Sequence, residues 1–221
     1  MPDITEQIKH WTGEFGKEYT DRNALSAEEL DALYERDFGI TRTKLNDIFL
    51  GRLDRSIRIL EVGSNVGSQL LLLQQSKFSR LYGIEPQSYA VELSKSRTKN
   101  INIIDGTVFD IPFKDAYFDL VFTSGLLIHI NPSDIASAMR EIHRSTKTYI
   151  WGFEYYADDF TEVPYRGHKN LLWKGNYAEQ YLRLFPDLKL IKEKRLRYAD
   201  TDNTNSMFLL RKSSSGAHQG T

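Results

Sequence analysis

The chain contains no cysteine, so disulfide staples, thiolate nucleophiles and Cys-ligated zinc are all excluded. It has no long apolar run either. The longest aliphatic stretch, residues 70–73, is far short of the roughly 20 residues that a membrane helix needs. The N-terminal MPDITEQIKHW has no basic region followed by an apolar segment, so no secretory signal is read there. Together these absences predict a soluble cytoplasmic protein with no membrane partner. A charge surplus is missing as well: 29 Lys and Arg oppose 30 Asp and Glu. The net charge of −1 gives no electrostatic case for nucleic acid. The five histidines form no H-x-x-x-H pair and no Asp-rich cluster accompanies them, so no metal site is expected.

What the chain does contain is order. Residues 1–50 are helical in character, and SAEELDALYERDFG (26–39) supplies a Ser N-cap, early acids and Gly39 as a stop. After residue 56 the pattern changes to short apolar strands alternating with helices. Strands are predicted at 57–62, 80–85, 101–104, 118–124 and 148–156, with helices at 68–76, 88–99 and 134–146 between them. A helix at 176–185 and two successive strands at 189–199 and 205–211 complete the pattern. This predicts an α/β fold: a Rossmann-like, doubly wound, mostly parallel sheet of seven strands with an antiparallel hairpin at one edge. One domain is expected over 1–212, with 1–50 as a helical cap or lid, followed by a disordered tail SSSGAHQGT at 213–221.

The first strand runs into EVGSNVGS (61–68), which has Gly63 and Gly67 but Asn65 and Ser68 where G-x-G-x-x-G needs glycine. That argues against NAD or FAD. Glu61, Gly63 and Gly67 instead resemble the first motif of class I S-adenosyl-L-methionine (AdoMet) methyltransferases. The resemblance implies a fold, a cofactor and a product, S-adenosyl-L-homocysteine, and implies that the turn with Asn65 receives the methionine portion. Glu85 ends the second strand, where a carboxylate can accept from both ribose hydroxyls. The stretch 105–130 resembles the family's adenine loop and fourth strand. Thr107 stands where family members often carry Asp, with Asp110 three residues on, so Val108 and Phe109 become candidates to flank the adenine. Ser124 ends the fourth strand beside them.

A narrower resemblance rests on WTGEFGKEYTDRN (11–23), SGLLIHINPSD (124–134) and residues 154–190. These look like the pseudaminic acid biosynthesis-associated methylases, a family named for surface-glycan gene clusters. The implied acceptor is a small, sugar-related or amino metabolite, methylated on N or O.

Methyl transfer needs alignment, a snug pocket and a base where the acceptor must lose a proton. His129, Glu154 and Tyr155 are the candidate catalytic residues, His129 because an imidazole titrates near neutrality. Each of them equally suits a packing or hydrogen-bonding role. Tyr156, Tyr165, Arg166, His168 and Lys169 are expected to form the acceptor wall, with Arg166 gripping an anion. The same charges could pair with Asp158, Asp159 and Glu162 on a solvated loop. Tyr19 and Arg22 are expected to reach the cofactor's carboxylate from the N-terminal lid, or else to belong to an amphipathic helix packed on the sheet. The partner is a small molecule, and the protein is a monomer or homodimer. A tRNA or protein methyltransferase and a non-catalytic AdoMet-binding module are the alternatives. TSGL stands where base-amine methyltransferases carry an N-P-P-Y-type tetrapeptide, which counts against the first.

Overall fold

The computed structural model describes residues 5–213. Residues 214–221, most of the expected tail, lie outside the described residues. The segment read only as helical in sequence resolves into α1 (Glu6–Thr12), α2 (Glu14–Asn23), α3 (Ala27–Phe38) and α4 (Arg42–Leu50). Helix α3 starts where Ser26 and Glu29 close a reciprocal capping box, the Ser26 hydroxyl accepting from Glu29 N at 3.1 Å. It stops at Gly39, whose φ of 66° turns the chain out of the helix.

Seven strands form one sheet. They are β1 (Arg58–Val62), β2 (Arg80–Glu85), β3 (Ile101–Asp105), β4 (Phe118–Ser124), β5 (Thr146–Tyr155), β8 (Leu188–Arg197) and β9 (Thr204–Lys212). Between β5 and β8 a two-residue pair, β6 (Thr161–Glu162) and β7 (Trp173–Lys174), makes a separate small ribbon. The strand order is β3-β2-β1-β4-β5-β9-β8, with the first five parallel and β9 antiparallel to both β5 and β8. The predicted hairpin therefore sits at the edge, with its second strand inserted next to β5.

Helices α5 (Ser68–Gln75), α6 (Ser88–Arg97) and α7 (Ile135–Ser145) are the crossovers, and α8 (Tyr177–Leu184) precedes the hairpin. Each central strand is buried on both faces, which gives near-continuous apolar runs such as Leu120, Val121 and Phe122. One core layer joins Leu30, Leu45, Leu70 and Leu73 of α3, α4 and α5 to Ile59, Leu120 and Phe122. The other joins Met139 and Ile142 of α7 and Tyr181 of α8 to Leu60, Val121 and Phe208. The chain reverses its winding between β1 and β4, so a crevice opens above the C-terminal ends of these strands.

Candidate active site

That crevice holds a cavity of about 400 Å³, within the range of small-molecule sites. Its floor begins at the β1–α5 turn. Gly63 has φ 74°, and a Cβ there would lie 2.8 Å from Leu126 Cδ1. Gly67 has φ 84°, and a Cβ would lie 2.7 Å from Ile103 Cδ1. Asn65 also sits at positive φ, 47°. Backbone conformation calls for glycine at both positions, and a Cβ at either would also push aside the terminal methyl of its neighbour.

Glu85 ends β2 with its carboxylate in this turn. One oxygen accepts from Asn65 N and the other from Gln87 N, each at 2.9 Å. Burial pushes its carboxyl up to about 7, against the pull of these two amides. Glu61 is buried beneath the turn and lines the cavity, and burial holds its carboxyl well above the usual range. Its Oε2, the Ser64 hydroxyl and Gln69 Oε1 are buried beside the same space, without a partner among the described residues. Thr107 and Val108 continue the wall. Phe109 does not line the cavity; it packs at the edge of the α7–α8 core layer. Thr107 bridges to Asp110, which leaves Asp110 exposed.

Helices α1 and α2 form the roof. The Gln87 carboxamide donates to the carbonyls of Trp11 (3.1 Å) and Gly13 (3.0 Å), and Asn65 Nδ2 donates to the Thr20 hydroxyl at 3.2 Å. Trp11 packs on Tyr19 at 5.1 Å and on His129 at 4.5 Å between ring centroids. Tyr19 lines the cavity and burial raises its phenol above the usual range. Arg22 does not reach in: it is exposed on α2 beside Glu18 at 3.5 Å, flanking the lining stripe of Gly16, Tyr19, Thr20 and Asn23.

His129 closes the short 3₁₀ turn after β4 and faces the cavity. Its Nδ1 lies 2.6 Å from the Leu171 carbonyl oxygen. A carbonyl only accepts, so the proton is assigned to Nδ1 and the Nε2 lone pair is left free. Burial pulls the imidazole down to about 4, so it stays neutral at physiological pH. Glu154 is placed differently from expectation. It does not line the cavity; its carboxylate accepts from Leu126 N at 3.3 Å and Ile128 N at 3.4 Å, holding the His129 turn from behind. The next residue along β5, Tyr155, takes the lining position, as does Ser124 at the end of β4.

The loop at 154–170 corrects the expected acceptor wall. Tyr165 and His168 exchange backbone hydrogen bonds of 2.9 Å around Arg166 (φ 50°) and Gly167 (φ 83°). Two central residues at positive φ make this a tight primed turn, and its tip points Arg166 into solvent. Arg166, His168 and Lys169 are exposed and none lines the cavity; Tyr165 alone of the expected group does. His168 packs outside, against His10 at 4.8 Å and Phe15 at 5.5 Å. Tyr156 is covered by the Arg195 guanidinium, 3.3 Å from its ring centroid. The far wall is formed instead by Tyr34, Phe153, Tyr198 and Asn205, which no motif announces.

Residues 60–149 match the family model described as a methyltransferase domain. The protein is a methyltransferase enzyme with AdoMet as its cofactor. The residues present fit that group: the cradle that a Cβ at Gly63 would fill, the Glu85 carboxylate, and the orphaned polar atoms of Glu61 and Ser64 all border one space. Among solved structures, the chain is similar to the 1,6-didemethyltoxoflavin-N1-methyltransferase of Burkholderia thailandensis with bound 1,6-didemethyltoxoflavin and S-adenosylhomocysteine. The TM-score is 0.71 at 14% identity, covering 97% of this chain and 92% of that one. It is also similar to the [4+2]-cyclase SpnF (TM-score 0.63, 14% identity, 85% and 96% covered). A third similarity is to a putative S-adenosylmethionine-dependent methyltransferase of Listeria monocytogenes (TM-score 0.60, 11% identity, 73% and 93% covered). At such identity these likenesses speak for the fold. No curated protein matches the chain in sequence.

Proposed function

We propose that this enzyme transfers a methyl group from AdoMet to N or O of a small, anionic, ring-bearing metabolite, sugar-related or amino. The observation that carries the reading is the continuity of one roofed cavity. It runs from Gly63 and Glu85 past Ser124 to Tyr155, Tyr198 and Asn205, and α1 and α2 close over it. A nucleic acid or protein substrate would need an open groove, and the net charge of −1 offers a nucleic acid no attraction. The neighbour solved with bound 1,6-didemethyltoxoflavin acts on a small molecule, which agrees with a chamber of this size.

Within this reading Glu85 orients the ribose by accepting from its hydroxyls, and the backbone of the 63–67 turn takes the methionine portion. AdoMet supplies a methyl group already activated by its sulfonium, so the protein's part is alignment and exclusion of water. His129 presents a neutral Nε2 to the cavity and can receive a proton that leaves the acceptor. Its depressed basicity suits an acidic hydroxyl or an ammonium rather than an unactivated alcohol. Glu154 is a positioning residue that fixes the His129 turn. The SpnF likeness is a reminder that this fold also carries a cyclase.

The test is product mass after incubation with AdoMet and pools of sugar nucleotides, uronic acids and amino metabolites. A product one methyl heavier, formed with S-adenosyl-L-homocysteine, is expected. Binding of AdoMet without any methylated small molecule, but with methylated RNA or protein, would contradict the reading.

A further inference from the structure

Arg42 is fully buried on α4, behind the cavity wall, yet has no carboxylate within ion-pair distance among the described residues. Its partners are neutral. Nη1 donates to the Tyr34 hydroxyl at 2.7 Å and to the Ser124 hydroxyl at 3.3 Å, Nε donates to Asn46 Oδ1 at 2.9 Å, and Nη2 has no partner among the described residues. Aromatic faces of Tyr34, Phe153 and Trp151 surround the guanidinium at 4.9–5.2 Å. These contacts soften the cost of burying a charge but do not neutralise it. Glu61 is the acid nearest in influence: burial raises its carboxyl above the usual range while Arg42 pulls it back, and the two form no ion pair within 4 Å.

The two hydroxyls that Arg42 engages both line the cavity. Because each oxygen accepts from a guanidinium nitrogen, each hydroxyl proton must be donated elsewhere. Neither proton has a protein acceptor among the described residues. The result is a pair of polarised donors side by side, backed by a guanidinium with no carboxylate at ion-pair distance among the described residues and walled by Phe153, Tyr155 and Tyr198. Two adjacent donors match the two oxygens of a carboxylate. They stand over β4 and β5, on the far side of β1 from Glu85 and Thr107.

We infer that Tyr34 and Ser124, positioned by buried Arg42, receive a carboxylate of the methyl acceptor, and that the aromatic rings beyond them hold the ring bearing it. The inference rests on the proposed function and deepens it. Arg42 acts through the two hydroxyls and is a positioning residue.

The test uses the full chain saturated with S-adenosyl-L-homocysteine. Binding of benzoate is compared with benzamide, and glucuronate with glucose, by calorimetry. At least one anion should bind about tenfold or more tightly than its neutral partner, as charge-assisted hydrogen bonds allow. Tyr34→Phe, which keeps the ring in the core, should bring that ratio close to one, and Arg42→Met should abolish it. Since Arg42→Met can fail to fold, Tyr34→Phe and Ser124→Ala carry the test. Absence of any anion preference in the natural protein overturns the inference, as does a full preference kept in Tyr34→Phe. If Tyr34→Phe weakens S-adenosyl-L-homocysteine as much as the anion, the hydroxyls serve the cofactor's own carboxylate and the inference is wrong. Failure of the natural protein to bind S-adenosyl-L-homocysteine at all would instead bring down the functional reading beneath it.

Discussion

The two ends of the cavity are built by different rules. At the Glu85 end, a handful of residues within one strand-turn-helix unit and the next strand do the work, through backbone conformation and close approach. At the Tyr155 end, Tyr34, Ser124, Tyr155, Tyr198 and Asn205 come from α3, β4, β5 and the β8–β9 hairpin, brought together only by the finished sheet. The first end tolerates little change because Gly63 and Gly67 hold positive φ. The second is a mosaic of side chains on a shared scaffold, the part of such a fold that can be altered to suit a different acceptor.

The largest expected effect lies at the rigid end. Gly63→Val should abolish S-adenosyl-L-homocysteine binding, since even its Cβ would meet Leu126 at 2.8 Å in a positive-φ position. A melting-temperature shift with ligand that survives in this variant would remove the turn from the cofactor site. Next, Glu85→Ala should weaken the same ligand by about 1.5–3 kcal/mol, the range for hydrogen bonds to a charged group. Glu85 also sets a pH dependence. Its carboxyl, raised to about 7, is largely protonated in slightly acidic solution and accepts ribose hydroxyls best when ionised. Affinity should therefore tighten as pH rises through 7 and then level off, and calorimetry on Glu85→Ala should show a flat profile.

Glu154 gives an effect on stability rather than binding. Its folded-state carboxyl is raised to about 7 from 4.5, so the stability it contributes is present below 4.5 and lost as pH rises through 7. Glu154→Gln should remove that decline, flattening the stability profile between pH 4.5 and 7 by about 1–3 kcal/mol in denaturant titrations. The smallest effect belongs to the solvent-facing turn. Arg166→Ala and Lys169→Ala should change stability by no more than about 0.5 kcal/mol and leave acceptor kinetics unaltered. A raised acceptor KM in either would return the substituted residue to the acceptor wall.

The same contrast explains what the sequence disclosed. Strands β1 to β4 are legible because each is an apolar run with glycine or an acid at or just after its end, and β2 and β4 fall at the predicted bounds of 80–85 and 118–124. Gly63, Asn65 and Glu85 were legible because a turn that needs positive φ and a carboxylate at a strand end leave local marks. The loop at 154–170 misled for a physical reason. Its polar crowding suggested a site, but the Arg166–Gly167 pair encodes a tight turn whose tip must face outward. Glu154 and Tyr155 were both candidates, and strand alternation sends only one of two neighbours to the cavity. Arg42, Gln87 and Asn205 left no mark, because a lone polar residue in a helix or strand acquires meaning only from partners far along the chain.

The most direct measurement is a crystal structure of the protein with S-adenosyl-L-homocysteine. The account predicts the ribose hydroxyls on Glu85, the adenine beside Thr107 and Val108, and the sulfur facing the chamber of Ser124, Tyr34 and Tyr155. A ligand that leaves Glu85 unengaged, or turns its sulfur away from that chamber toward solvent, would contradict it.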